Sequence, residues 1–531
     1  MPDFMQERKL MIRINDIALP PEHNAHQLTF EAAKLLKISA SKIKQLRLVR
    51  RSIDARKKPD VKLIYTVDVQ IDGSENKVLK QARCKRASIA PTLRYRPPKP
   101  KAASEQRPVV VGFGPAGMFA ALILALAGQK PLVLERGEDA ESRHEKVRHY
   151  FQTGELDPAS NVQFGEGGAG TFSDGKLNTG VNNPRIGWIL EQLVAAGAGE
   201  EILFDAKPHV GTDVLLTVVQ NIRRRIMELG GEVRFRSQVT GIRHEAGKLT
   251  GLELQDGTLI ECSKAIFAIG HSARDTFQML LDEKVPMEPK PFSMGVRIEH
   301  RQAMVDLAQY GSMELPLPPA DYKLVQHLED GTVYTFCMCP GGYVVAAASE
   351  EETVVTNGMS YHDRAGDNAN SALLVTLHPD VFPYEGPLGG VRWQQELERK
   401  AYQVGQGKAP AQLVGDFLSG KPSVGPGSVQ PTYQPGVTWC DLHQVLPQRI
   451  TDALKEAIPQ SDRKLKGFAS CDGVLTAPET RSSSPVRILR GEDRQSALRG
   501  LYPTGEGAGY AGGIMSAAID GILSAEALLE E

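Results

Sequence analysis

Val109-Val-Val-Gly112-Phe-Gly114-Pro115-Ala116-Gly117 decides how this chain is read. Three β-branched residues make a short buried strand, and the apolar run Pro115–Ala127 makes a helix. Between them stands Gly-x-Gly-x-x-Gly. The first glycine permits a tight turn, the second lets backbone approach a diphosphate, and the third lets helix pack closely on strand. The diphosphate then meets free N–H groups at the positive end of the helix. Leu132–Leu134 reads as a second strand running into Glu135-Arg136. A carboxylate at that spacing accepts hydrogen bonds from a ribose. The unit is βαβ, with parallel strands buried on both faces.

Working outward, Val214–Leu229 is a predicted helix stopped by Gly230-Gly231, with a strand at Glu232–Arg236. Val239–His244, Leu249–Leu254 and Thr258–Glu261 form a β-meander, followed by a buried strand at Ala265–Ile269. From Val285 to Ala469 the chain turns Pro- and Gly-rich, with strand-like runs at Phe292–Ile298, Thr332–Cys339 and Tyr343–Ala348. Leu501–Pro503 and a helix Gly513–Leu529 return to the nucleotide unit. At the other end, Leu10–Ile17 and Lys62–Ile71 read as strands, Thr29–Leu36 as a helix, and Ser41–Val49 as either. Tyr95-Arg-Pro-Pro-Lys-Pro-Lys101 is a semi-rigid linker. The expected fold class is α/β. It comprises a small basic ferredoxin-like domain at 1–95 and a linker at 96–106. A Rossmann-type binding domain at 107–284 and 470–531 holds an inserted mixed or antiparallel substrate domain at 285–469.

The chain has 531 residues, 41% hydrophobic and 24% charged, which excludes wholesale disorder. Six cysteines are too few for a disulfide scaffold and fit a reducing compartment. Met1–Asn15 has no apolar core run, and the longest apolar stretch, Met118–Ala127, is too short to span a bilayer, so a soluble, cytoplasmic protein is expected. The net charge of −2 conceals a division. Residues 1–107 hold 24 Lys and Arg against 11 Asp and Glu, a balance of +13, leaving −15 for the remainder. That asymmetry points to a polyanion partner or to a contact between domains.

Two further stretches extend the pattern. Ala265-Ile-Phe-Ala-Ile-Gly270 is a hydrophobic strand ending in glycine, and Leu501-Tyr-Pro-Thr-Gly505-Glu506-Gly-Ala-Gly-Tyr-Ala-Gly512-Gly513-Ile514 opens the last helix. With Gly112, Gly114, Gly117 and Glu135-Arg136, they resemble the glutathione-reductase-like FAD superfamily on its para-hydroxybenzoate-hydroxylase side. The chain more closely resembles the bacterial FAD-dependent dehydrogenase (NAD(P)/FAD-dependent oxidoreductase) family. The resemblance implies that an acid after Gly505 holds the ribityl chain, that the N–H groups at Gly512, Gly513 and Ile514 face the flavin, and that backbone at Val239 meets the adenine. Most relatives have Asp where Glu506 stands, one methylene shorter. A second loop, Gly165-Glu-Gly167-Gly168-Ala-Gly170-Thr171-Phe-Ser-Asp174-Gly-Lys176, resembles the one that packs on flavin and diphosphate in related flavoproteins. Lys176 would pair with phosphate or sit near the ring.

FAD is therefore the expected cofactor. Apart from the loops at 165–170 and 507–512, which the resemblance gives to the flavin, no further Gly-x-Gly-x-x-Gly occurs, nor any CxxxxC, and Gly425-Pro-Gly427 follows no strand, so any NAD(P)H would bind transiently or another donor would serve. Candidate catalytic residues are His271 for proton transfer, Arg481 and Arg487 as clamps for an anionic small molecule, and the Cys337/Cys339 pair. Two cysteines two apart in a strand share a face, but no second pair completes a metal site, and none is expected. The leading expectation is an FAD-dependent oxidoreductase passing a hydride or electron pair to or from a small molecule. The alternative is a flavoprotein docking to RNA through Lys42, Lys44, Arg47, Arg50, Arg51, Arg56, Lys57 and Lys58, a stretch poor in aromatic residues for stacking. Docking of the basic domain on the acidic body is the simpler use of those charges.

Overall fold

The computed structural model describes residues 10–91, 94–102, 104–329 and 331–530. Part of the stretch read against a secretory leader, residues 1–9, lies outside them.

Five short parallel strands form the central sheet in the order Leu501–Pro503, Ala265–Phe267, Val109–Val111, Leu132–Leu134, Glu232–Arg234. The strands alternate between two cores. Val110, Val133, Ile266 and Tyr502 face the helices Pro115–Leu126, Thr212–Glu228 and Ile514–Glu530. Val109, Val111, Leu132, Leu134 and Phe267 face the meander Val239–Glu245, Lys248–Leu254, Leu259–Glu261 and the helix Arg274–Asp282. Burial on both faces explains why these segments are apolar without interruption. The last helix lies against the first so closely that a Cβ on Gly521 would stand 2.0 Å from the Ala116 carbonyl oxygen.

The middle of the chain builds a seven-stranded sheet. Its order is Val325–Leu328, Gly331–Cys339, Asn368–Leu377, Phe292–Arg301, Val474–Glu479, Ala409–Leu413, Val437–Trp439. All pairs are antiparallel except the last. The sequence reading ends the middle segment at Ala469, yet Val474–Glu479 is an interior strand of this sheet. It also passes over the buried strand Asn368–Leu377 and the helices Gly389–Gly405 and Gln448–Asp462.

The N-terminal segment runs βαββαβ through Ile12–Leu19, Ala25–Leu36, Ile43–Asp54, Lys62–Ile71, Glu75–Ala82 and Ala87–Ile89. Its antiparallel sheet takes the order second, third, first, fourth strand. Ser41–Val49, open between helix and strand in the sequence, is mostly strand.

Two residues of the basic stretch, Arg51 and Lys58, bind the rest of the protein. Arg51 donates through Nε and Nη2 to Asp205 at 2.7 and 2.9 Å and lies over the Phe204 ring. Its backbone N–H and C=O bond Phe204 and Ala206. Lys58 donates to the Ala308 carbonyl, and Val61 and Ala55 join the core of the seven-stranded sheet. Arg47 pairs with Asp68, and Arg56 with Asp54. The proline-rich segment is pinned too: Arg94 pairs with Glu191, Tyr95 donates to Glu526 at 2.6 Å, and Lys101 caps Leu529. The small domain thus touches both larger parts.

Bidentate, half-buried pairs exceed ordinary surface pairs in strength. A double-mutant cycle of Arg51→Ala and Asp205→Ala, read by urea unfolding, is expected to give a coupling of about 1 kcal/mol that shrinks with added salt. The Arg51→Asp/Asp205→Arg exchange should recover part of it.

Candidate functional site

The first glycine loop has the geometry its spacing demands. Gly112 has φ +93°, and a Cβ there would lie 2.4 Å from the Ala268 carbonyl oxygen. A Cβ on Gly117 would lie 1.9 Å from the Gly112 carbonyl oxygen, so that glycine serves helix packing. Gly114 is the N-cap of the helix, with Pro115 at its first position. Gly168 of the second loop (φ +61°) comes so near that its Cβ would be 2.9 Å from the Gly114 Cα. Glu135 ties the two loops together. Its buried carboxylate accepts from the N–H groups of Phe113 at 2.8 Å, Gly137 at 2.9 Å and Gly165 at 3.0 Å. The spacing rule assigns Glu135 to a ribose and does not reveal this backbone role.

Beneath the second loop lies Arg143, which the sequence reading missed. Fully buried, it donates to the carbonyls of Asn161, Val162, Glu166 and Gly168 and stacks on Phe172. Burial holds its pKa down to about 10. The signal was an arginine in the stripe Ala140, Arg143, Val147, Tyr150 that its helix buries. Gly167 and Thr171 are internal to this loop: a Cβ on Gly167 would meet the Thr171 hydroxyl at 2.0 Å.

One long cleft runs between the parallel sheet and the seven-stranded sheet. Its walls bring together Gly112, Gly114, Pro115 and Ala116 with Gly168, Gly170 and Lys176. Glu135, Arg136 and Val239 lie on it, as do Gly270, Glu506, Gly512, Gly513 and Ile514. Gly505 stands just behind, donating its N–H to Asp520 at 2.7 Å, and Asp520 is held by Arg490 and Arg494. Arg136 is engaged with Asp275 and Thr276 and covers the Phe164 ring. Gly512 and Gly513 open onto free space, with no atom within 4 Å of a Cβ on either. Burial pushes the Glu506 carboxyl up to about 7, against the pull of Lys290. The Lys176 ammonium stands 4.0 Å from Asp174, whose oxygens already accept from Ser360 and Arg364.

The proposed catalytic residues fare differently. Arg481 reaches the cleft, but its guanidinium is consumed: Nε and Nη2 donate to Glu398 at 3.1 and 2.8 Å, and Nη1 to Ser349. Arg274 binds the same carboxylate from the other side at 2.8 and 2.7 Å. The two guanidiniums hold the buried Glu398 far below the carboxylate range. Arg487 is absent from the cleft wall. It sits on the strand Val486–Ile488, 3.7 Å from Glu288 and over Tyr510.

Cys337 and Cys339 both line the cleft but do not share a strand face. A bulge intervenes, Cys337 takes φ +42°, and it is exposed while Cys339 is buried. Burial raises the Cys339 thiol to about 12, and the cleft walls around Cys337 raise its thiol as well, so both are protonated at neutral pH. His271, the candidate for proton transfer, sits in a turn three residues before Arg274, where the helix Arg274–Asp282 begins. Burial and the neighbouring Arg481 and Arg274 hold it down to about 3, so it is neutral. Among the described residues no cluster of three or more His, Cys, Asp or Glu could hold a metal, and no helix is long and apolar enough to cross a membrane.

With this geometry in hand, the chain compares closely with a Clostridium beijerinckii protein described as uncharacterized. The two are 48% identical over 533 residues, spanning 98% of this chain and 99% of that one. This chain belongs to that protein's family. Residues 291–482 match the family model described as FAD-dependent protein, C-terminal domain-like, and residues 11–70 match a domain of unknown function. The first match begins at the strand Phe292–Arg301 and ends just past Val474–Glu479, spanning the strands of the seven-stranded sheet. Among solved structures, glycine oxidase from Bacillus cereus ATCC 14579 overlaps 80% of this chain and 96% of its own, at 12% identity and TM-score 0.35. L-proline dehydrogenase from P. horikoshii overlaps 81% and 94%, at 12% identity and TM-score 0.32.

Two consequences are measurable in ligand-free protein. Glu398→Gln leaves two buried guanidiniums short of a counter-charge and should cost about 3–5 kcal/mol in urea unfolding. Glu350→Gln, which removes only the half-buried second partner of Arg274, should cost under about 1 kcal/mol. Glu506 has a raised folded pKa, so the unfolded state ionises first. Stability should therefore fall as pH rises from the ordinary carboxyl value of 4.5 to about 7, then level off. Glu506→Gln should flatten that slope in unfolding curves taken across the interval.

Proposed function

We propose that this protein is an FAD-dependent oxidoreductase that exchanges a hydride or electron pair with a small molecule. The observation that carries the reading is convergence. Residues 112–117, 165–176 and 504–514 are far apart in sequence, yet all meet along one cleft that Glu135 and Val239 also line. The match of residues 291–482 to an FAD-dependent family supports the same assignment for the opposite wall.

The residues present fit the cofactor. Gly112 and Gly168 leave no room for side chains, and with Gly114 they form a backbone cradle suited to a diphosphate at the N-terminus of the helix Pro115–Leu126. Glu135 and Val239 suit the ribose and adenine. Gly512, Gly513 and Ile514 present the positive end of a 17-residue helix to the cleft, where negative charge is stabilised. Bound FAD would supply the redox chemistry. The chain's own residues bind, orient and exclude water. The buried Arg274–Glu398–Arg481 group sets the wall where the two sheets meet, and Phe336, Cys337 and Asn357 cover the opposite side with neutral side chains. Arg481 acts as a positioning group in this reading, because Glu398 and Ser349 occupy its donors, and Arg487 has no part in it.

Nothing among the described residues adds support for NAD(P)H, since Gly425 and Gly427 lie in a loop between Val414–Ser419 and Val437–Trp439. The RNA reading gains no support: Arg51 and Lys58 bind other parts of the chain, and Arg47 and Arg56 pair within the small domain.

Purified protein should carry FAD, seen as visible flavin absorption and released by denaturation, or take it up when added. Gly512→Val and Gly513→Val meet no protein atom, so both should fold with unchanged circular dichroism and bind FAD at least about tenfold more weakly. Wild-type protein that neither contains nor takes up FAD would refute the proposal.

A further inference from the structure

A chain of hydrogen bonds crosses the cleft wall and ends at His271. Gln163 Nε2 lies 3.0 Å from the Ala347 carbonyl oxygen, Ser272 Oγ lies 3.1 Å from Gln163 Oε1, and His271 Nδ1 lies 3.0 Å from Ser272 Oγ. Gln163 and Ser272 are buried, and all three side chains border the cleft.

A backbone carbonyl can only accept, so it fixes every proton along the chain. Gln163 must turn its NH₂ to Ala347, leaving its carbonyl oxygen towards Ser272. Ser272 has one hydroxyl hydrogen, which that oxygen takes. The Ser272 oxygen is then left as an acceptor, and the ring nitrogen beside it must carry the hydrogen. The reversed chain would set two oxygens against each other at Ala347.

We propose that His271 is locked as the Nδ1–H tautomer, and that its Nε2 lone pair is a fixed hydrogen-bond acceptor for an N–H or O–H donor of the ligand held in the cleft. His271 is then neither a proton donor nor an anion-binding cation. A ligand offering a carbonyl or ether oxygen at that point would set acceptor against acceptor. The burial and the two arginines that hold the ring neutral act in the same direction. Ser272 and Gln163 are positioning residues, working through the ring they orient. The donor belongs either to the dinucleotide or to the small-molecule substrate. The tautomer assignment itself does not depend on the flavin reading.

The test is ¹⁵N NMR of full-length protein labelled at histidine, with His271 assigned by its loss in His271→Gln, or in His271→Asn if the first does not fold. The expected result is a protonated, pyrrole-type Nδ1 and an unprotonated, pyridine-type Nε2, unchanged as pH falls through the ordinary histidine range. Ser272→Ala should remove the preference and shift the two resonances towards each other. An Nε2–H tautomer in the wild type, an averaged pair of signals, or titration near the ordinary value of 6.5 would overturn the proposal. Comparing FAD-free with FAD-loaded protein then separates the sources. A shift of Nε2 on loading assigns the donor to the dinucleotide, and an unmoved Nε2 assigns it to the substrate.

Discussion

Glu398 is the point on which the two halves of the molecule depend. It comes from the helix Gly389–Gly405 on the seven-stranded side, and Arg274 reaches it from the helix that follows the parallel sheet. Arg481 reaches it from the end of the strand Val474–Glu479, and Thr480 adds a hydroxyl donor at 2.6 Å. All three charges are buried, so none can turn to water without carrying an uncompensated charge through apolar surroundings. Whatever their net worth against an apolar substitute, their mutual dependence makes the relative placement of the sheets discrete. The cleft exists because that placement does.

The small N-terminal domain extends the same constraint. The hairpin between Ile43–Asp54 and Lys62–Ile71 sends Ala55 and Val61 into the core of the seven-stranded sheet, while Arg51 holds Asp205 on the other side of the chain. Along the C-terminal helix, Tyr95 and Arg185 share Glu526. A domain that grips both larger parts braces them. Its surplus of positive charge is partly answered by the acidic body it sits on, which gives the near-zero net charge a structural meaning.

Much of the architecture was legible locally. Val109–Val111, Leu132–Leu134 and Lys62–Ile71 read correctly because each is a dense run of β-formers between strong breakers, and the meander because its turns are Gly247 and Asp256-Gly257. The strand Asn368–Leu377 did not, since its buried Asn and Ser disguise a fully covered strand. Val474–Glu479 was assigned to the wrong side of a boundary because pairing with Phe292–Arg301, nearly two hundred residues away in sequence, is invisible to local pattern. Arg487 shows the opposite failure: it stands six residues from Arg481, yet its strand carries it off the cleft wall.

The sequence alone determined the glycine positions, because Gly112, Gly117 and Gly168 are required by backbone contacts that admit no other residue, and such requirements are written one residue at a time. It also determined the period-two and period-three-to-four patterns that choose strand or helix. Only the tertiary structure decided what the charged and titratable side chains do. Glu135 binds backbone N–H groups as well as lining the cleft, Arg481 is occupied by Glu398, the thiols stay protonated, and His271 takes its tautomer from a carbonyl 76 residues along the chain, at Ala347. These roles are set by which groups meet after folding and by the water excluded around them, and neither is a property of any short stretch of sequence.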